Sequence, residues 1–313
     1  MQTAQQPLRR LIAPRYWPMW LKLGVVRLAC LLPYRPLMAL GRLLGRSGHA
    51  LLKERRQIAN RNIELCLPQL DASEREQLVR AHFDSLGMAV FEIGLTWWAD
   101  DERIGRMANY EGFEHLDRAL SAGKGAILLS AHFTCLEICS RMLAERVGLH
   151  AVYRPHRNPL LDEVMRRGRE RSAEGTIRKD DIRQMIRALR KNIPVWYAPD
   201  QAYSGKTAQL VPLFGIPAQT NTATSRLARL TGAPVLPFLP WRDTASGRYH
   251  IVIGEPIANF PSGDDAADTL LFHELVEQRI REAPEQYLWI HRRFKNLPDA
   301  PDIYDFAAAP PGS

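Results

Sequence analysis

The spacing of apolar positions changes along this chain. Over residues 16–52 apolar side chains recur at helical intervals and are interrupted at Pro33-Tyr34-Arg35-Pro36, which predicts two apolar helices hinged there. Residues 53–67 continue as a basic helix that stops before Pro68. Ser73-Glu74-Arg75-Glu76 reads as a capping box opening a helix through about Ile93. From about residue 109 the rhythm shortens. Apolar runs at 125–130, 150–153, 194–198, 234–239 and 248–253 read as strands. Between and after them, 113–122, 134–147, 157–171, 180–191, 219–231 and 266–282 read as helices.

Strands alternating with helices imply an α/β fold, a sheet flanked by helices on both faces, with active residues expected beyond the C-terminal ends of its strands. The pattern divides the chain into a basic, apolar N-terminal segment (1–60), a main domain (61–306) and a frayed tail (307–313). Residues 1–15 read as a loose polar arm.

Charge sharpens the division. The net charge is +8, yet twelve basic residues against the single acid Glu54 give residues 1–61 a charge of +11, leaving −3 for the rest. An anionic surface partner follows, either nucleic acid or membrane. The arginines are interleaved with Trp17, Trp20, Leu21, Val25, Leu28, Leu31, Leu43 and Leu44, a mixture that favours an interfacial membrane anchor over a nucleic-acid arm. The longest uncharged stretch within 16–46 is seven residues, 28–34, far short of a simple span. Basic residues inside the apolar run, together with Pro33 and Pro36, argue against a cleaved secretory signal. The four cysteines form no CxxC pair and read as reduced, small apolar residues.

The densest candidate chemistry is His132-Phe133-Thr134-Cys135-Leu136-Glu137, just beyond the strand 125–130. An imidazole with a carboxylate partner can deprotonate a hydroxyl. On one continuous helix, residues five apart point about 140° apart, so the pair works only with His132 on the strand–helix corner and Glu137 on the first helical turn. Free N–H groups near Thr134 would then suit a developing oxyanion. Arg154 and Asn158 follow the strand 150–153, and Arg154 can bind phosphate or stabilise negative charge. Asp200 ends the strand 194–198 at cleft level. Residues 211–218, including Phe214 and Gly215, read as a turn-rich apolar loop able to line an acyl groove. The arginines between 166 and 190 are interspersed with acids and read mostly as a solvated helix face that could dock an acidic carrier protein.

Together these segments resemble the late acyltransferases of lipid A biosynthesis, the Kdo2-lipid IVA lauroyl- and myristoyltransferases. The residues carrying the likeness are the anchor from Trp17 to Arg46, Ser130-Ala131-His132 with Glu137, and Tyr153-Arg154-Pro155 with Asn158. Asp200-Gln201, Phe214-Gly215-Ile216-Pro217-Ala218, Pro234-Val235-Leu236-Pro237, Ile253-Gly254-Glu255-Pro256 and the run from Pro284 to Lys295 complete it. Glu137 stands where the wider glycerolipid acyltransferase superfamily typically has aspartate. The resemblance implies a glycerolipid-acyltransferase-like mixed sheet with a membrane-associated helical segment, at the inner membrane with its catalytic domain on the cytoplasmic face. It implies transfer of a fatty acyl chain from acyl-carrier protein to the hydroxyl of a 3-hydroxyacyl chain on a lipid A precursor. His132 would be the general base and Glu137 would orient it. Arg154, Asn158, Asp200, Phe214 and Gly215 would contact substrate. No metal or other cofactor is implied, and the partners are the carrier thioester, the lipid precursor and an anionic membrane, not nucleic acid. The alternatives are an acyl-CoA-dependent transferase acting on another glycolipid or a lysophospholipid, and a non-catalytic basic membrane-binding protein.

Overall fold

The computed structural model describes residues 11–295, 297 and 301–306. The expected polar arm at 1–15 and the tail 307–313 therefore lie wholly or largely outside the described residues. Within the arm's last part, Leu11 is buried and Pro14–Tyr16 forms a 3-10 turn.

Four helices come first: α1 (Trp17–Ala29), α2 (Tyr34–Leu51), α3 (Lys53–Cys66) and α4 (Ala72–Trp98). Pro33 sits at the N-cap of α2 and Pro36 in its first turn, so the chain does break into two helices just before the expected hinge. The α4 capping box is made by Asp71 and Glu74, two residues before the expected Ser73. The Asp71 carboxylate accepts from the Glu74 amide at 2.8 Å, and the Glu74 side chain accepts from the Asp71 amide at 2.8 Å. Helix α2 lies along α4 at backbone contact distance. A Cβ at Gly87 would come within 2.0 Å of the Gly41 carbonyl oxygen, so only hydrogen fits there. Residues of α2, α3 and α4 belong to the same hydrophobic core as the sheet.

A short helix α5 (Asp101–Gly105) leads to β1 (Ala108–Glu111) and α6 (Phe113–Ser121). Then come β2 (Ile127–Leu129), α7 (Leu136–Arg146), β3 (His150–Tyr153), α8 (Pro159–Arg169), β4 (Gly175–Arg178), α9 (Ile182–Arg190) and β5 (Val195–Tyr197). The hairpin β6 (Ala208–Leu213) and β7 (Ile216–Asn221) precedes α10 (Ala223–Thr231), β8 (Val235–Pro237), β9 (Trp241–Asp243), β10 (Arg248–Val252) and α11 (Asp265–Glu282). The main sheet is parallel throughout, in the order β4-β3-β5-β2-β8. A second sheet, β1-β10-β9, combines one parallel and one antiparallel pairing. The short strands β1, β4 and β9 were not anticipated. The segment expected as a loop at 211–218 is a hairpin, and it takes residues 219–221 from the expected helix.

The order of the strands positions the site. The connections β2-α7-β3 and β3-α8-β4 run one way across the sheet, whereas β4-α9-β5 and β5-α10-β8 run the other. Right-handed crossovers then place α7 and α8 on one face, α9 and α10 on the other. The packing agrees: α4 covers α7 and α8, while α10 contacts α9 and α11. β2 and β5 are neighbours whose chains depart to opposite faces, which opens a crevice at their C-terminal ends. No helix among the described residues is long and apolar enough to cross a membrane.

Candidate active site

His132 follows β2 and Asp200 follows β5, so both reach that crevice. His132 is on the strand–helix corner and Glu137 is in the first turn of α7, as the spacing required. The carboxylate on His132, however, is Asp200. Asp200 Oδ1 lies 2.5 Å from His132 Nδ1, and its Oδ2 accepts the His132 amide at 3.0 Å. Burial pushes the Asp200 carboxyl up, but the His132 charge, its two hydrogen bonds and Arg293 outweigh this and hold it near 2. An ionised carboxylate accepts only, so Nδ1 carries the proton and Nε2 is left with its lone pair. Burial pushes the imidazole pKa down, and the Asp200 carboxylate more than reverses this, so the net shift is upward. The His132 side chain is one-third exposed while Asp200 is 5% exposed, which leaves the imidazole as the reachable member of the pair.

Glu137 does not make the expected bond to His132. Both of its oxygens are taken at 2.7 Å by Nε and Nη2 of Arg169, the last residue of α8. The crossovers put α7 and α8 on the same sheet face, and this bidentate pair joins them. Glu137 still acts on His132 through space, favouring its charged form, and Arg169 opposes it.

The turn carrying His132 is clamped by the C-terminal run. Phe133 bridges Tyr287, the His132 carbonyl accepts from the Leu288 amide at 3.0 Å, and the Thr134 amide donates to Gln286 O at 2.7 Å. The Thr134, Phe133 and Leu136 amides are therefore committed and not free for an oxyanion. The terminal run is a series of turns after the 3-10 helix Pro284–Gln286. It also holds the Asp200 side: the Ala202 amide donates to His291 Nε2 at 3.1 Å, and burial keeps His291 neutral, at about 4. Asn62 of α3 ties the run to the N-terminal helices by donating to the carbonyls of Trp289 and His291.

A buried polar chain supports the turn from the other side. Thr134 Oγ1 is 2.6 Å from Ser85 Oγ, which accepts from Arg242 Nη2. Arg242 pairs with Glu92, Glu92 accepts from Tyr249 Oη at 2.7 Å, and Tyr249 meets Tyr34 Oη at 3.1 Å. Gln286 closes the loop on the Arg242 main chain.

The remaining expected residues fare differently. Arg154 follows β3, is exposed, and makes no ion pair or hydrogen bond among the described residues. Asn158 caps α8, accepting from the Leu160 and Leu161 amides. Phe214 and Gly215 form the β6–β7 turn, both at positive φ. Phe214 donates its amide to Glu277 at 2.6 Å and lies under Arg281, so this turn packs on α11. The neighbouring Leu213, not Phe214, lines the cavity beside His132, with Cys66, Tyr287 and Phe294. All four cysteines are free and buried.

Residues 5–296 match the family model described as bacterial lipid A biosynthesis acyltransferase. The chain is 38% identical over 290 residues to the lipid A biosynthesis lauroyltransferase of Escherichia coli K12, covering 92% of this chain and 95% of that protein. It is 38% identical over 291 residues to the palmitoleoyltransferase of the same organism, covering 93% and 95%. It is 36% identical over 304 residues to a lipid A biosynthesis acyltransferase of Haemophilus influenzae, covering 94% and 96%. A match over nearly the whole chain, with a histidine–carboxylate pair at the crevice of a parallel sheet, establishes that this protein belongs to the lipid A biosynthesis acyltransferases.

Proposed function

We propose that this enzyme transfers a fatty acyl chain from an acyl-carrier-protein thioester to the hydroxyl of a 3-hydroxyacyl chain on a lipid A precursor, with His132 as general base. The observation that carries the chemistry is the His132–Asp200 pair, which leaves Nε2 basic and reachable. Nε2 takes the hydroxyl proton as the oxygen attacks the thioester carbonyl. The C–O bond forms, the C–S bond breaks, and the imidazolium returns the proton to the departing thiolate. Asp200 holds the tautomer and stabilises the imidazolium, the role first expected of Glu137. Glu137 fixes Arg169 beside the site, and Arg154 supplies unpaired positive charge at its rim for the oxyanion or a substrate phosphate.

The acceptor is a lipid, and the N-terminal helices offer a way to reach it. Trp17, Leu21, Val25 and Leu28 form one stripe of α1, each more than half exposed, and Leu40, Leu43, Leu44 and Leu51 are exposed on α2. Lys22, Arg27 and Arg46 flank them. Thirteen residues of α1 extend about 20 Å, short of a hydrocarbon core of ~30 Å. We place these faces in the plane of the inner-membrane surface rather than across it, with the catalytic domain on the cytoplasmic side.

The test is incubation of detergent-solubilised protein with radiolabelled tetra-acylated lipid A precursor and a panel of acyl-carrier-protein and acyl-CoA thioesters. A more acylated product from the carrier thioesters, lost in His132→Ala and Asp200→Asn, supports the reading. Product from acyl-CoA alone rejects the carrier donor, and no product from folded protein with any donor rejects the acceptor.

A further inference from the structure

Away from the His132 crevice, a cavity of about 200 Å³ lies between the start of α2 and the turn joining β9 to β10. Its polar wall is Tyr34, Arg35, Arg42, Thr244 and Ser246. Arg35 and Arg42 are seven residues apart, two turns of one helix face, and both reach the same space. Neither makes a hydrogen bond or ion pair among the described residues. Two carboxylates are close by: Asp84, whose charge acts on both Arg46 and Arg42 and whose Oδ1 accepts no hydrogen bond from either guanidinium, and Asp243. Asp84 lies 3.6 Å from Arg46, and Asp243 folds into its own turn, accepting from the Ala245 amide at 2.9 Å and Ser246 Oγ at 2.5 Å.

We propose that this cavity is a phosphate-binding site. Two unpaired guanidiniums beside a threonine hydroxyl present many donors to one small volume. A tetrahedral phosphate, with several acceptor oxygens and up to two charges, can satisfy both forks at once, whereas a carboxylate matches one. The volume exceeds that of a bare phosphate, given the ~30 Å³ share of one water, so a phosphate ester with part of its headgroup fits. The exposed Leu40, Leu43 and Leu44 on the same helix set the cavity at the level of lipid headgroups. That last point rests on the membrane placement proposed above; the phosphate chemistry does not.

The test compares the full-length protein with Arg35→Gln/Arg42→Gln and with the charge-matched control Arg183→Gln/Arg187→Gln. Each is floated with phosphatidylcholine vesicles, with the same vesicles containing phosphatidic acid, and each is titrated with inorganic phosphate in detergent by thermal shift. The Arg35/Arg42 variant is expected to lose affinity for the phosphatidic acid vesicles by about tenfold or more relative to the control. It is expected to bind phosphatidylcholine vesicles as the wild type does. Saturable stabilisation by inorganic phosphate, absent in that variant, assigns the site to phosphate from either source; a difference confined to vesicles assigns it to a headgroup. Equal behaviour of the two double variants towards both probes overturns the proposal. Acyl transfer is not read in this test, so failure of the proposed reaction leaves its outcome intact.

Discussion

Asp200 holds His132 by two bonds, one to the imidazole and one to the amide of the same residue, from a strand end 68 residues further along the chain. Replacing it with asparagine removes the charge that fixes the Nδ1–H tautomer and stabilises the imidazolium. Asp200→Asn is expected to lower kcat by about 10²- to 10⁴-fold. The rising limb of the pH–rate profile reports loss of the His132 proton. In the wild type it should lie above the usual 6.5, because the Asp200 carboxylate raises that pKa; in the variant, burial acts unopposed by Asp200 and the limb should move to lower pH. A limb that stays in place would show that Asp200 does not set the protonation of the base.

Glu137 and Arg169 are each only 14% exposed and satisfy one another. Removing one partner strands the other, so Glu137→Gln and Arg169→Gln should each cost roughly 3 kcal/mol of stability. The double variant should lose far less than the sum. A double-mutant cycle on urea midpoints measures this, and additive losses would exclude the pair as a unit.

Ser85 connects the Arg242–Glu92 ion pair to Thr134, two residues from His132. Ser85→Ala leaves Thr134 Oγ1 and one Arg242 donor without a partner, at a cost of about 1–3 kcal/mol. The turn it steadies carries the proposed base, so kcat should fall at nearly constant KM in protein that remains folded. A KM effect alone would place this chain in substrate binding.

His82 and His273 are buried and pushed down to about 4, mainly by loss of water around the charged form. Unfolded, they would bind protons near 6.5. Stability should therefore fall as pH drops from about 6.5 to 4, by up to ~1.4 kcal/mol per pH unit for each histidine. His132 works in the opposite sense: its pairing stabilises fully below 6.5 and is lost as pH rises through its raised value. The Asp200 contribution is present above the ordinary carboxylate range and is lost only as pH falls through about 2. Chemical denaturation across pH 4–7 checks this, and His273→Asn should make the slope shallower.

The helices and the central strands were legible because each rests on local periodicity. The helix break next to Pro33, the strand His150–Tyr153 and the helix ending before Pro68 appear where the pattern put them. Short strands such as Gly175–Arg178 escaped notice because four residues carry little periodicity and their partners supply the ladder. The hairpin around Phe214-Gly215 looked like a loop because its pairing is between the two halves of that segment and its turn packs on α11.

The chain by itself determined that His132 would stand on a strand–helix corner with Glu137 one turn into the helix, since both follow from where an apolar run stops and a helix begins. Which carboxylate meets the imidazole was decided only by the sheet. Strand order makes β2 and β5 neighbours and delivers Asp200 to Nδ1, while the placing of α7 and α8 on one sheet face gives Glu137 to Arg169. Hydrogen bonds act over a few ångströms, and strand order, not sequence separation, sets which groups come that close.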